Sequence, residues 1–415
     1  MASNRRTPQA PTTVCIAARS WPQTPMPGDA SLTTPAFGKR TLALSIGAGS
    51  VGLVILGIMP VLLASLVGDG RIAESLVGNL VSVEYLAIAI GSVLGLSLLR
   101  RLDARIVGVG AALGFAGANL SMMFHPSQPF VFVARALAET CGGVLVSLAL
   151  VTISQSRSPE RGSAFFFATQ TVMQLSLAVI LPWMVFRGSI GDGGYLALVV
   201  AGCMAAAITA FMPRHLPPPR AAEKGAALPR VAIAGLIVTA LYQGATAAGW
   251  SYVVIWLEEN GHSETMATRA IALSLAFQVL GALFATKFSE RLSSRNVILV
   301  SALLQCLLFL ALLLFGANMV FVYMICAAFG FLWLFTLPSF TGWLIELDPS
   351  RRAVLALAAA QLLGSAALPS LAALYVRERT VGGAFLFAIA VLAAAAVLSC
   401  FVNIWQSRSD AAART

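Results

Sequence analysis

The chain has 415 residues, 58% of them hydrophobic and 11% charged, with a mean hydropathy of +0.85 and a formal charge of +10. A soluble domain carries about 25% charged residues, so this composition excludes a water-covered globular protein and turns most of the surface toward lipid. The excess of Lys and Arg does not require nucleic acid as a partner, because a membrane protein collects these residues on its cytoplasmic side.

Residues 1–40 are rich in Pro, Ser, Thr and Ala and hold no apolar run long enough to cross a bilayer. Arg5, Arg6, Arg19, Lys39 and Arg40 face the single acid Asp29. The segment reads as a disordered cytoplasmic tail, with a transit peptide as the alternative. Twelve apolar segments follow, at 42–67, 76–99, 106–124, 129–154, 163–186, 193–212, 231–257, 270–288, 296–316, 319–345, 353–376 and 381–405. Each is near or above the roughly 20 residues a spanning helix needs. Open strands would leave backbone groups unpaired in hydrocarbon, so the segments must be helices. Pro60, Pro182, Pro338 and Pro369 should kink or break them locally.

With the N-terminus inside, 21 of the 27 Lys and Arg fall on the inner side, 5 in outer loops (Arg71, Arg187, Arg269, Arg377 and Arg379), and Arg135 within a helix. Both termini are therefore expected in the cytoplasm. The longest internal gap, 213–230, is basic and Pro-rich and follows the sixth segment. It divides the chain into six-helix bundles at 41–213 and 231–406, with a linker at 214–230 and a tail at 407–415. An internal repeat supports the division. At an offset of 190, Gly91, Arg101, Leu102 and Arg105 fall on Gly281, Arg291, Leu292 and Arg295, and Pro159, Arg161 and Gly193 fall on Pro349, Arg351 and Gly383. The fold expected is an all-α membrane protein of twelve transmembrane helices in two pseudo-symmetric six-helix bundles.

The six cysteines form no CxxC pair, the three histidines are isolated, and no GxxxxGK[ST] loop is present. No metal site, cofactor or nucleotide is expected. A membrane-embedded transferase would need a catalytic His, Asp or Glu cluster at the membrane face, and none is visible.

Twelve helices in matched halves, with basic turns after helices 2 and 8, resemble the major facilitator superfamily of secondary transporters. Its loop motif is written GxLaDRxGRR. In SERLSSR, Glu290 takes the acidic position, Arg291 the next and Arg295 the last basic one. In LRRLDAR, Arg101 and Arg105 match, Arg100 stands where the acid is expected, and Asp103 lies two places later. The helix 4 motif RxxxGxG is met at Arg135, with Glu139 and Cys141 in place of the glycines. SPERGSA and DPSRRAV resemble the family's P-x-R starts of helices 5 and 11. Pro182 lacks the glycines of the pattern that marks many antiporters, which argues against export. The resemblance implies alternating access, with the loops as conformational gates.

Charges away from loops are few. Glu84 lies in helix 2, and Arg135 and Glu139 share one face of helix 4. A charge near the bilayer centre costs about 2.5–3.5 kcal/mol and so faces a cavity or a partner. These residues are the candidates for anion binding and proton exchange; a structural ion pair is the alternative. Candidates for the substrate cavity are Gln170, Gln174, Tyr242, Gln243, Trp250, Gln278, Trp333 and Gln361, with Gln305 as a further polar singleton. Trp256 and Trp343, near helix ends, suit interface anchoring. Gly91 and Gly95 form a GxxxG, echoed by Gly281 and Ala285. Close packing there would serve the rocking of the halves, so Leu at Gly91 or Gly281 should cut transport before abundance.

The function expected is a plasma- or inner-membrane secondary transporter, a monomer, moving a small organic solute by proton-coupled symport. An organic anion suits Arg135. Proton-driven efflux of amphipathic compounds is the alternative within the class, and a non-transporting sensor or a membrane enzyme lies outside it.

Overall fold

A chain that must satisfy every backbone group inside lipid has only helices to build with, and the computed structural model follows that rule. It describes residues 38–124, 127–156, 159–184, 189–216, 228–288, 291–376 and 380–412. Glu290, residues 1–37 and residues 217–227 of the linker lie outside them. In order, the helices are α1 Lys39–Gly68, α2 Glu74–Leu99, α3 Ala104–Met122, α4 Gln128–Ser154, α5 Arg161–Trp183, α6 Ile190–Ala210, α7 Arg230–Glu259, α8 Glu264–Phe288, α9 Ser294–Phe315, α10 Met319–Leu347, α11 Leu357–Ala373 and α12 Gly382–Gln406. Eleven are long and apolar enough to cross a membrane; α11 is the shorter one, with 17 residues. A separate turn of helix, Arg352–Leu355, takes up the start of the segment expected at 353–376.

The interruptions fall elsewhere than the prolines suggest. Pro60, Pro338 and Pro369 lie inside continuous helices, and only Pro182 sits at a helix end, in the turn Leu181–Trp183. The break in α1 comes between Val51 and Ile55, and that in α7 at Tyr252. At the first, Gln174 Nε2 of α5 donates to the Leu53 carbonyl at 2.9 Å. A neighbouring helix thus supplies the partner that an irregular backbone needs at membrane depth.

Packing repeats with a shift of six helices. α2 lies along α4 as α8 lies along α10; α3 lies along α6 as α9 lies along α12. Across the two halves, α2 packs on α11 and α5 on α8, the same pairing taken twice. The glycines explain the closest crossings. A Cβ at Gly91 would overlap the Thr140 carbonyl oxygen of α4, and one at Gly281 would overlap that of Phe331 in α10. Gly143 of α4 meets the Ile88 carbonyl in return. These are contacts within a half. The GxxxG of α2 therefore does not face the other half, contrary to the sequence expectation, because α4 supplies the complementary small residues.

The halves meet elsewhere on α2. Tyr252, at the α7 break, accepts from the Gly78 amide through Oη at 2.9 Å. Ser82 Oγ accepts from the Ser370 amide at 2.9 Å. A Cβ at Gly78 would overlap the Pro369 carbonyl oxygen. All three contacts lie toward the end of the helical body away from the start of α1 and the end of α12.

At the opposite end, Asp348 organises the turn before α11. It is 2% exposed, and its carboxylate accepts from the Ser350 amide at 3.2 Å and the Ala353 amide at 3.0 Å. Arg351 takes up a left-handed conformation at φ 60° to close the turn. Burial alone would push the Asp348 carboxyl up. Hydrogen bonds from Ser350 and Ala353, with Arg352 nearby, outweigh it and hold the group below the ordinary carboxylate range.

Two outcomes are expected. Gly91→Leu should cost about 1–3 kcal/mol through overpacking, so that membrane abundance, read by fluorescence size exclusion, falls together with transport. Asp348→Ala should lower stability by about 1–3 kcal/mol through loss of the hydrogen bonds to its buried carboxylate. Because the folded pKa is depressed, that stabilisation is complete above the unfolded value of about 3.9 and disappears as pH falls through the folded value. Thermal melts of the two proteins should therefore differ at pH 7 and converge below about pH 4.

Candidate functional site

The site is built by three helices of the first half. Arg135 of α4 is 1% exposed, so every donor on its guanidinium must find a partner inside the protein. Nε donates to Glu84 Oε1 of α2 at 2.7 Å, and Nη2 to Glu139 Oε1, one turn further along α4, at 2.7 Å. Nη1 donates to Asn119 Oδ1 of α3 at 2.8 Å. Asn119 is held by its own amide, which donates to the Phe115 carbonyl at 2.9 Å. Glu84, Glu139 and Asn119 are 2%, 0% and 0% exposed. Two carboxylates thus share one guanidinium, and the ionised cluster carries one negative charge in excess. The outer oxygens, Glu84 Oε2 and Glu139 Oε2, have no hydrogen-bond partner among the described residues.

The sequence singled out Glu84, Arg135 and Glu139, and the structure brings all three together. It adds Asn119, which carries no charge and stands in an apolar run, so nothing in the sequence marked it. A second buried ion pair was also missed. Arg71, read as an outer-loop cation, is 7% exposed. Its Nη2 lies 2.9 Å from Asp192 Oδ1 of α6 and 3.0 Å from Asp69, and its Nη1 donates to the Met122 carbonyl at 2.7 Å. The available signal was Asp192 in the first turn of a helix, where an acid is favoured.

The remaining candidates are spread over the molecule. Gln174 is 4% exposed and engaged with α1, while Gln170, one turn away, is half-buried. Tyr242 is buried edge-on to Phe340 at 5.1 Å. Trp250 stacks on Phe329 at 5.3 Å and meets Trp333 edge-on at 6.0 Å. Both Trp250 and Tyr242 sit in the packed interior of the second half. Gln305 is buried and accepts from Thr246 Oγ1 at 2.8 Å. Gln278 is buried, and Gln243 and Gln361 are half-buried. Trp343 is fully buried and donates to Asn403 at 2.9 Å, and Trp256 donates to the Leu312 carbonyl at 3.2 Å. These two tryptophans tie helix to helix instead of anchoring in the interface.

The loop residues stay within their own halves. Asp103 caps α3, accepting from the Arg105 amide at 2.8 Å. Arg105 Nε donates to the Met212 carbonyl, and the Ala104 amide donates to the Arg214 carbonyl at 2.7 Å. Arg100 and Arg101 are exposed. Arg295 pairs with Glu346 of α10 at 2.7 Å, and Arg291 is exposed.

A family model described as Major Facilitator Superfamily matches residues 42–372. No curated protein sequence matches significantly. Among solved structures, the nucleoside transporter NupG aligns with a TM-score of 0.69 at 13% identity, over 88% of this chain and 99% of that one. A bacterial homologue of the human lysosomal transporter Spinster, inward-facing and occupied, aligns at 0.68 and 13%, over 88% and 96%. At these identities the likeness is one of fold.

The cluster yields a stability ranking. Arg135→Gln leaves two buried carboxylates without a counter-charge and should cost about 3–5 kcal/mol. Glu84→Gln and Glu139→Gln each remove the excess charge and leave one pair intact, so each should cost far less. Thermal unfolding of the three purified variants checks the order.

Proposed function

Because the chain belongs to the major facilitator superfamily and is a multi-pass secondary transporter, we propose that it moves a small organic solute by alternating access, coupled to protons at Glu84 and Glu139. The observation that carries this reading is the charge count of the buried cluster. Two carboxylates around one guanidinium leave one negative charge unmatched, and an unmatched charge in a low-dielectric interior is expensive. A single proton balances it. Arg135 stays charged throughout, so the exchangeable proton belongs to the carboxyls.

The position of α2 supports a link from this proton to the conformational change. One face of the helix carries Glu84 toward Arg135; another carries Gly78 and Ser82 toward Tyr252 and Ser370 of the second half. A change in the grip of Arg135 on Glu84 acts on the same helix that closes the seam. In this state all the guanidinium donors described are engaged within the cluster. An anionic solute would reach Arg135 only once a protonated carboxyl has loosened its hold, which favours proton symport of an organic anion over efflux. The asymmetry of Lys and Arg supports cytoplasmic termini, which places the closed seam on the outer side.

The test is a solute panel in proteoliposomes with an imposed pH gradient of either sign, including organic anions, and nucleosides on account of the fold neighbour. Wild-type uptake of an anion with the gradient inward supports symport, and extrusion of apolar cations would overturn it. Glu139→Gln should abolish gradient-driven transport while the protein remains folded; full transport by that variant removes the proton role.

A further inference from the structure

The deep cluster around Arg135 does not stand alone, and what lies beside it has no part in the site described so far. Helix α3 places Asn119 against Arg135 and, three residues on, the Met122 carbonyl against Arg71. Helix α6 places Asp192 against Arg71 and, three residues on, Tyr195. Residues three apart on a helix share a face and are separated by one turn, about 4.5 Å along the axis. Two helices therefore fix the outer pair, Arg71 with Asp192, one turn from the deep cluster. Asp69, also bound to Arg71, reaches the surface with 30% of its side chain exposed.

Tyr195 lies one turn beyond Asp192 on α6, the helix that packs along α3. It is 1% exposed, and its hydroxyl has no hydrogen-bond partner among the described residues. An unpaired buried hydroxyl is destabilising, and packing alone gives no reason to retain it. Arg135 and Glu84 of the deep cluster and Arg71 and Asp192 of the outer one all lie within electrostatic range of it. Tyr85, the neighbour of Glu84 on α2, lies within range of Glu84 and Glu139.

We propose that Asp69, Asp192 and Tyr195 form a proton access route through the first half, leading from the surface at Asp69 to the deep carboxyls. The inference rests on the reading of Glu84 and Glu139 as the proton site. Its chemistry is a relay. A hydronium ion at the surface protonates Asp69 or Asp192. The Tyr195 oxygen accepts that proton as its own hydroxyl proton moves, directly or through a water molecule, to Glu84 Oε2. The tyrosine is neutral before and after, and one proton has moved inward. Arg71 and Arg135 keep their charge and orient the carboxylates at either end.

The experiment needs no solute. Purified protein in nanodiscs is subjected to a pH jump in stopped flow, with a pH dye reading the proton taken up. The wild type should show a slow uptake phase that is lost in the Glu84→Gln/Glu139→Gln double variant. Tyr195→Phe should keep the amplitude of that phase and slow it at least tenfold, with an unchanged or higher melting temperature. Asp192→Asn should slow it as well, and Tyr85→Phe should not. Survival of the phase in the double Gln variant overturns the proton site itself. Loss of the phase in the double variant together with a wild-type rate in Tyr195→Phe overturns the route alone. A fall of amplitude and rate together in Tyr195→Phe, with the melting temperature lowered, assigns the tyrosine a structural role and also overturns the route. Should Tyr195→Phe fail to fold, Asp192→Asn decides: a wild-type rate there removes the route.

Discussion

Arg135 is the constraint on which the first half is built. A guanidinium that cannot lose its proton, buried at 1% exposure, must be matched in charge and saturated in hydrogen bonds or the fold fails. Meeting that demand draws α2, α3 and α4 to one point through Glu84, Asn119 and Glu139. It also sets what the point can do. A pair of one carboxylate and one guanidinium would be neutral and inert. The second carboxylate leaves one negative charge unmatched, and on the proton coupling proposed above the feature that binds the helices together is also the one that would set them moving.

Fold and site were legible in the sequence to different depths, for physical reasons. Lipid tolerates only long apolar helices, so the twelve segments could be counted from hydropathy, within a few residues at most ends. α8 begins at Glu264, ahead of the expected 270, because an acid suits the first turn of a helix and blurs the hydropathy edge. Charges inside helices are scarce, so Glu84, Arg135 and Glu139 stood out. Asn119 did not, since its value lies in one hydrogen bond that only the third dimension supplies. Arg71 was read as solvent-facing because it lies between segments, yet the chain turns it inward onto Asp192. Aromatic residues gave the least reliable signal. Trp250 and Tyr242 fit a cavity and a packed core equally well by type, and Trp250 stacks on Phe329.

The basic loops show how one sequence device can serve two tasks. Asp103, displaced from the family position, has become a helix cap for α3, and Arg105 binds the end of α6. Arg295, its counterpart by the 190-residue offset, instead pairs with Glu346 of α10. The repeat preserves the place of the cation and changes its partner. Matching positions in the repeat therefore do not imply matching roles.

The seam between the halves has a property that follows from its donors. Gly78 and Ser370 contribute amide hydrogens of the main chain, received by the Tyr252 and Ser82 oxygens. Mutation cannot delete a main-chain donor, except by proline, so the chain keeps one side of this closure whatever residues it samples. The other side is held by two hydroxyls, which evolution can readily alter. The vulnerable element is the missing side chain: any carbon added at Gly78 strikes the Pro369 carbonyl and would hold the halves apart like a doorstop. One hydrogen atom in place of a methyl group thus sets how closely α2 and α11 can approach, and this contact between the halves depends on an absence.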